Sequence, residues 1–72
     1  MDSDYALEVG KRIMAARKQK GISQLELAEA VRVDRSRVYT WECGQNMPHA
    51  RAIAQMCRTL IVSADWLLDV EE

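Results

Sequence analysis

The strongest constraint on the fold of this chain is a regular series of signals that begin and end helices. Residues 23–26 read Ser-Gln-Leu-Glu, which is the pattern of a helix N-terminal capping box. Three further residues are of types that favour helix starts: Asp34, Pro48 and Ser63. Gly21 and Gly44 are placed to end helices. Because no useful stretch alternates apolar and polar residues as a strand would, these signals predict an all-α fold of five short helices.

Apolar residues recur at helical spacing between these signals. We expect the first helix to begin at Ser3 or Asp4 and the third to run from Asp34 to Glu42 or Cys43. The fourth should begin near Pro48, as its first helical residue. The residues predicted to face the core in the first four helices are Tyr5, Val9, Ile13, Ala16, Leu27, Ala28, Val31, Val38, Trp41, Ala50, Ile53, Ala54, Cys57 and Leu60.

The length of 72 residues allows one domain, spanning residues 1–72 with a core over about 5–69. A domain of this size buries only about 60% of its unfolded surface, which leaves little room for an enzyme cleft and favours oligomerisation. The chain shows neither a secretory signal nor a run near the ~20 apolar residues of a membrane helix. We therefore expect a cytoplasmic protein that does not associate with membranes.

Two cysteines, Cys43 and Cys57, are too few and too isolated for a disulfide framework or a zinc site. We expect both to be free thiols, with Cys57 buried. His49 has no evident catalytic or metal-binding partner, and the sequence contains no nucleophile–base arrangement or phosphate loop. The sequence therefore predicts no enzyme activity, metal, cofactor or small-molecule substrate.

The charges are unevenly distributed although the net charge is only −1. All ten Lys and Arg residues lie between Lys11 and Arg58, together with only four acids, a balance of +6. The other seven acids lie at the two ends of the chain. A basic body with acidic ends is compatible with a body that faces phosphate groups.

A series of short motifs, each weak alone, occurs in a fixed order without gaps. The motifs are Arg12-Ile13, Ala16-Arg17-Lys18, Gly21-Ile22-Ser23-Gln24, Glu26-Leu27-Ala28, Trp41-Glu42-Cys43-Gly44, Pro48, Leu60 and Ser63-Ala64-Asp65-Trp66-Leu67-Leu68. Over residues 9–68 the chain thereby resembles the Xre/Cro/phage-repressor family of helix-turn-helix proteins. The resemblance implies a five-helix domain with its helix-turn-helix at about 23–43, a sequence-specific transcriptional regulator and double-stranded DNA as partner. The chain departs from the family at Arg32 and Ile61, where glycine is usual.

The third predicted helix has the two faces that a DNA-reading helix needs. Val38 and Trp41 would fix it to the core, and its outer face is polar. The major groove accepts one α-helix and shows a distinct donor and acceptor pattern at each base pair. The residues predicted to read bases are Arg35, Ser36, Arg37, Tyr39 and Thr40. Arg35 is the best candidate for a bidentate contact to guanine.

Further residues are predicted to contact phosphates or to hold the fold together. Gln24 follows the Ser23 cap at the positive end of the second helix, and the resemblance implies that it contacts the DNA backbone. Weaker phosphate candidates are Arg12, Gln45 and Asn46. The resemblance also implies that Arg17 and Glu42 form a structural ion pair between the first and third helices.

The end of the chain is more apolar than so small a domain requires. We expect Leu67, Leu68 and Val70 to contribute to a homodimer, with Trp66 partly in the core. Two-fold dimers bind palindromic half-sites about 34 Å apart.

Chains of this length resemble restriction–modification controller proteins, phage Cro-like repressors and some antitoxins. The main alternative to DNA binding is therefore an antitoxin or another protein-interaction module on the same fold.

Overall fold

The computed structural model describes residues 2–70, with side chains from Asp4 onward. Residues 1, 71 and 72 of the predicted domain lie outside this range. Five α-helices follow one another, and the described residues contain no strand. Their bounds are α1 Asp2–Lys20, α2 Gln24–Val31, α3 Arg35–Glu42, α4 Ala50–Leu60 and α5 Ala64–Leu67. The prediction of an all-α fold is confirmed.

The ends of α2 follow the local sequence closely. Ser23 accepts a hydrogen bond from the Glu26 amide at 3.0 Å, and the Glu26 carboxylate accepts one from the Ser23 amide at 2.8 Å. Both halves of the predicted capping box are therefore formed. The preceding helix ends at Gly21, which has a φ of 78° as helix-ending glycines commonly do.

The core lies where the five helices meet, with α5 contributing Leu67. Its fully buried larger side chains are Val9, Ile13, Leu27, Val38, Trp41, Met56 and Leu67. Ala16, Ala28 and Val31 are also buried, as predicted. Cys43 and Cys57 are free, also as predicted, but Cys57 is only half-buried. Burial raises the pKa of the Cys57 thiol, which keeps it protonated and apolar.

Tyr5 departs from the predicted core. It is 42% exposed, and its hydroxyl donates to the Leu68 carbonyl at 2.6 Å, which joins the start of α1 to the end of the described chain. Ala6 is buried beside it. The helix itself begins at Asp2, so the prediction of a start at Ser3 or Asp4 was one to two residues late.

The prediction for α4 was wrong in two respects. The helix begins at Ala50 and is capped by His49, whose Nδ1 accepts from the Ala52 amide at 3.2 Å. Pro48 is buried and precedes this cap instead of being the first helical residue. The face that packs on the core consists of Ala52, Met56 and Leu60, flanked by Ile53 and Cys57, whereas Ala50 and Ala54 are exposed.

Two non-glycine residues adopt the left-handed conformation at helix C-termini. Arg32 ends α2 with a φ of 67°, and Ile61 ends α4 with a φ of 58°. Each donates its amide to the carbonyl four residues earlier. The family-like turn geometry is thus kept at both positions where the chain lacks glycine, although a side chain in this conformation costs about 1–2 kcal/mol.

Glycine permits a close approach of α1 to α3. A Cβ atom on Gly10 would collide with the Trp41 carbonyl oxygen and lie 2.9 Å from that of Glu42. Gly44, with a φ of 77°, ends α3 as predicted and lies against the backbone of Leu7. These two close contacts place the C-terminal end of α3 against the first half of α1.

Candidate nucleic-acid interface

The third helix presents one buried face and one polar exposed face, as predicted. Val38 and Trp41 are 0% and 1% exposed. Ser36 and Arg37 are exposed, and so is Tyr39 on the same outer surface. A helix whose inner face is fixed can present the outer one in a constant orientation, which base reading requires.

A buried ion pair holds this helix to α1. Arg17 Nε donates to Glu42 Oε2 at 2.7 Å and its second terminal nitrogen donates to Glu42 Oε1 at 3.0 Å. Glu42 is 3% exposed. The hydrogen bonds to Glu42 raise the pKa of Arg17. The ion pair implied by the resemblance is present in the structure, and it anchors the C-terminal end of α3.

Gln24 links this ion pair to the outer surface. Its Nε2 donates to Glu42 Oε1 at 3.0 Å, and its Oε1 accepts from Arg35 at 3.1 Å. The predicted phosphate residue and the predicted guanine-reading residue therefore lie side by side. The sequence did not indicate this contact, although the position of Gln24 beside a helix cap marked it as a polar residue of interest.

The remaining base-reading and phosphate candidates lie around the end of α3. Thr40 is half-buried, and its hydroxyl donates to the Arg37 carbonyl at 2.8 Å. Its oxygen is also 3.4 Å from Asn46 Oδ1. Gln45 and Asn46 are exposed in the turn that follows. Because the Thr40 hydroxyl already has a backbone partner, its methyl group is the part better placed to contact a base.

Arg12 does not belong to this surface. Its terminal nitrogens donate to the Trp66 carbonyl at 2.9 Å and to Asp69 Oδ1 at 3.2 Å. Its guanidinium lies 5.3 Å from the centre of the Trp66 ring, and Glu8 Oε2 is 3.3 Å from its Nε. Since these partners occupy it, we leave Arg12 out of the DNA surface and describe it as a link between α1 and the end of the chain.

The residues predicted for a dimer interface fall into different environments. Leu67 is 0% exposed and belongs to the core, so its prediction as an interface residue was wrong. Leu68 is half-buried against the core. Trp66 is 41% exposed, as expected for a side chain only partly in the core, and Val70 is 54% exposed. Among the exposed large apolar side chains of the described residues are Trp66, Val70 and Ile61, and also Tyr5, which is bonded to Leu68.

Neither a metal site nor a membrane-spanning helix is found within residues 2–70. No group of three or more His, Cys, Asp or Glu residues in this part of the chain could hold a metal ion. None of the described helices combines the length and apolar character that crossing a bilayer requires.

Comparisons with known proteins agree with this geometry. The helix-turn-helix family model matches residues 13–67. The chain belongs to this family, in its Xre and phage-repressor branch. No curated protein sequence gave a significant match.

Several solved structures are similar over most of their length. The restriction–modification controller protein C.AhdI from Aeromonas hydrophila is 31% identical, with a TM-score of 0.80 over 86% of this chain and 94% of that one. The P22 c2 repressor, solved with a synthetic operator, is 30% identical, with a TM-score of 0.82 over 88% and 96%. The clp gene regulator ClgR from Corynebacterium glutamicum is 28% identical, with a TM-score of 0.81 over 90% and 84%. The family and these neighbours are regulatory DNA-binding proteins, and DNA-binding transcription regulation is the function that membership supports for this chain.

Proposed function

We propose that the protein is a sequence-specific transcription regulator that binds a palindromic operator as a homodimer, with α3 in the major groove. The observation that carries this proposal is the two-faced α3. Its inner face is anchored by Val38, Trp41 and the buried Glu42 carboxylate, and its outer face carries Arg35, Ser36 and Tyr39. The one acid within α3, Glu42, is turned inward to Arg17, and the exposed Asp34 precedes the helix as its cap.

Arg35 is the principal base-reading residue in this proposal. It lies in the first turn of α3, the part of the recognition helix that contacts base edges in helix-turn-helix complexes. Its planar fork suits the two acceptors of guanine in the major groove. Ser36, Arg37, Tyr39 and the Thr40 methyl group supply the neighbouring contacts, and Gln24, Gln45 and Asn46 contact phosphates at the two ends of the helix.

A homodimer would present two copies of α3 to half-sites about 34 Å apart. We assign this contact to the exposed Trp66 and Val70, together with the half-buried Leu68. A two-fold interface uses the same patch on both subunits, so one exposed patch is sufficient. Burial of an additional apolar surface would also stabilise a domain with so small a core.

The test is selection of bound sequences from a pool of random DNA duplexes at two salt concentrations. The proposal predicts an enriched palindrome and an affinity that falls steeply as salt rises, because phosphate contacts release counterions. Arg35→Ala should relax the preference at one base position in each half-site, at a cost of about 1–3 kcal/mol for the preferred base. Arg58→Ala, which removes an exposed cation from α4, should leave the selected motif unchanged.

Two other outcomes would each contradict a part of this proposal. Sedimentation that shows a monomer at high micromolar concentration, with and without operator, would contradict the dimer. Absence of DNA binding even at low salt would contradict the regulator and favour an antitoxin-like or other protein-interaction module.

A further inference from the structure

A broad groove of about 600 Å³ opens between the α2–α3 turn and the first turn of α4. Its lining residues are Ala30, Val31, Arg32, Val33, His49, Arg51 and Gln55. None of them is acidic, and two are arginines. None of these seven residues is among the predicted base-reading or phosphate-contacting residues.

Both arginines lack an intramolecular partner within the described part of the chain. Arg32 and Arg51 are exposed, and neither takes part in an ion pair or a side-chain hydrogen bond among residues 4–70.

The His49 ring is oriented by its own contacts. Its Nδ1 accepts from the Ala52 amide and its ring packs edge-on against Trp41 at 6.3 Å. Since Nδ1 is the acceptor, Nε2 of the neutral ring carries the proton and is a donor. The lining of the groove therefore contains hydrogen-bond donors from Arg32, Arg51 and His49 and no carboxylate.

Arg32 has a backbone conformation that is unfavourable for any residue with a side chain. Its φ of 67° is a conformation in which glycine is strain-free and any side chain is not. The Arg32 side chain makes no hydrogen bond or ion pair within residues 4–70 that would offset this cost. Strain alone does not indicate a partner, since Ile61 is left-handed and 74% exposed as well. The charge of two arginines that lack an intramolecular ion pair is what suits an anionic ligand.

The dimensions of α2 relate this groove to DNA. The helix has eight residues, so it spans about 12 Å, close to the ~12 Å width of the major groove. Gln24 lies at its start and Arg32 at its end. In a helix-turn-helix complex the helix before the recognition helix crosses the DNA backbone. The length of α2 thus separates Gln24 from the groove by about the width of the major groove.

We propose that this groove binds a backbone phosphate of the DNA strand across the major groove from Gln24, with Arg32 and Arg51 as the charged contacts. This inference rests on the proposed function. It adds a charged, sequence-independent contact to those assigned above to Gln24, Gln45 and Asn46, and we call this contact the phosphate clamp. Phosphate contacts of this kind fix the register of a protein on the duplex without specifying bases.

The test uses Arg32→Gly and Arg51→Ala in the full chain with the selected operator. Each variant should weaken binding by about tenfold per contact removed at ~0.1 M salt and reduce the slope of log affinity against log salt by about 0.9 per contact. The selected motif should stay the same, in contrast to Arg35→Ala, which should change it. Arg58→Ala, an exposed cation two turns further along α4 and outside the groove, is the matched control and should change neither quantity.

Arg32→Gly also separates binding from folding. Removal of the strained side chain should raise the Tm while it weakens operator binding. The matched variant Ile61→Gly, at the equivalent left-handed residue of α4, should raise the Tm without altering the salt slope. If wild-type protein binds an operator but Arg32→Gly and Arg51→Ala keep its affinity and slope, the phosphate clamp is wrong and the regulator stands. If wild-type protein selects no DNA at all, both the proposed function and the phosphate clamp are wrong.

Discussion

Gln24 donates from Nε2 to Oε1 of the buried Glu42 carboxylate at 3.0 Å. An ionised carboxylate accepts hydrogen bonds and cannot donate them, so this contact fixes which end of the amide faces inward. The Gln24 oxygen is consequently turned to Arg35, 3.1 Å away. The Arg35 guanidinium, to which we assign base reading, is thus oriented through a chain of hydrogen bonds that begins inside the protein.

Replacement of Gln24 should therefore affect recognition more than folding. Gln24→Ala is expected to weaken operator affinity several-fold and to broaden the preference at the base position of Arg35, because the guanidinium loses its acceptor. Stability should fall by only about 1 kcal/mol, since Arg17 still pairs with Glu42. Selection from random duplexes and urea denaturation measure the two effects. A variant with wild-type base preference would show that Arg35 needs no such positioning.

The Arg17–Glu42 pair should be a large contributor to stability when one partner alone is removed. Arg17→Ala strands a carboxylate that is 3% exposed, and such uncompensated charges cost about 3–5 kcal/mol. Urea denaturation with far-UV circular dichroism measures this cost.

A double variant provides the control for this prediction. Arg17→Met with Glu42→Leu removes both charges and should recover most of the lost stability, because an apolar replacement of a buried pair is often neutral. A double variant as unstable as Arg17→Ala would indicate that the hydrogen bonds to Ile22 and Gln24 matter more than the charge.

Gly10→Ala should destabilise the protein although alanine is the better helix former. Inside α1 the substitution would by itself gain about 1 kcal/mol in helix propensity. The added methyl group, however, collides with backbone carbonyls of Trp41 and Glu42, which cannot rotate away. We expect a net loss of about 1–3 kcal/mol, as for other overpacked sites. Lys11→Ala on the exposed side of the same helix should stay within about 0.5 kcal/mol of wild type, and a neutral Gly10→Ala would show that α1 and α3 can separate freely.

Ile61→Gly should stabilise the protein. Ile61 is left-handed and 74% exposed, so its side chain adds strain and little packing. The relief of about 1–2 kcal/mol is partly offset by the greater freedom of glycine in the unfolded chain, by about 0.4–1 kcal/mol. The difference, about 0–1.6 kcal/mol and centred near ~0.8 kcal/mol, is the expected gain in the free energy of unfolding. Ile61→Ala keeps the left-handed strain and should gain much less, so equal gains for both variants would refute the backbone explanation.

Local signals predicted the helices well because their causes are local. The capping box of Ser23 and Glu26 needs four consecutive residues, and the stop at Gly44 needs one backbone conformation. The burial of α4 was misassigned because alanines at positions 50, 52 and 54 give its faces little contrast. His49 as its cap was missed because histidine is not a usual capping residue.

Contacts between residues far apart in the chain could not be predicted from local sequence patterns. Arg12 and Asp69 are distant along the chain and come within 3.2 Å only after all five helices have packed. The run Trp66-Leu67-Leu68 has three consecutive apolar residues, so periodicity could not show which of them the core takes. In the structure Leu67 is buried in the core, whereas Trp66 is partly exposed.

The unequal burial of Trp41 and Trp66, at 1% and 41% exposure, gives the protein two optical reporters. Trp41 emission should be blue-shifted and protected from iodide, whereas Trp66 emission should be red-shifted and readily quenched until another subunit covers it. A Trp66→Phe variant would therefore report on unfolding alone, and the difference from wild type would report on association. One chain thus carries separate fluorescent signals for its core and for the surface that we assign to its dimer.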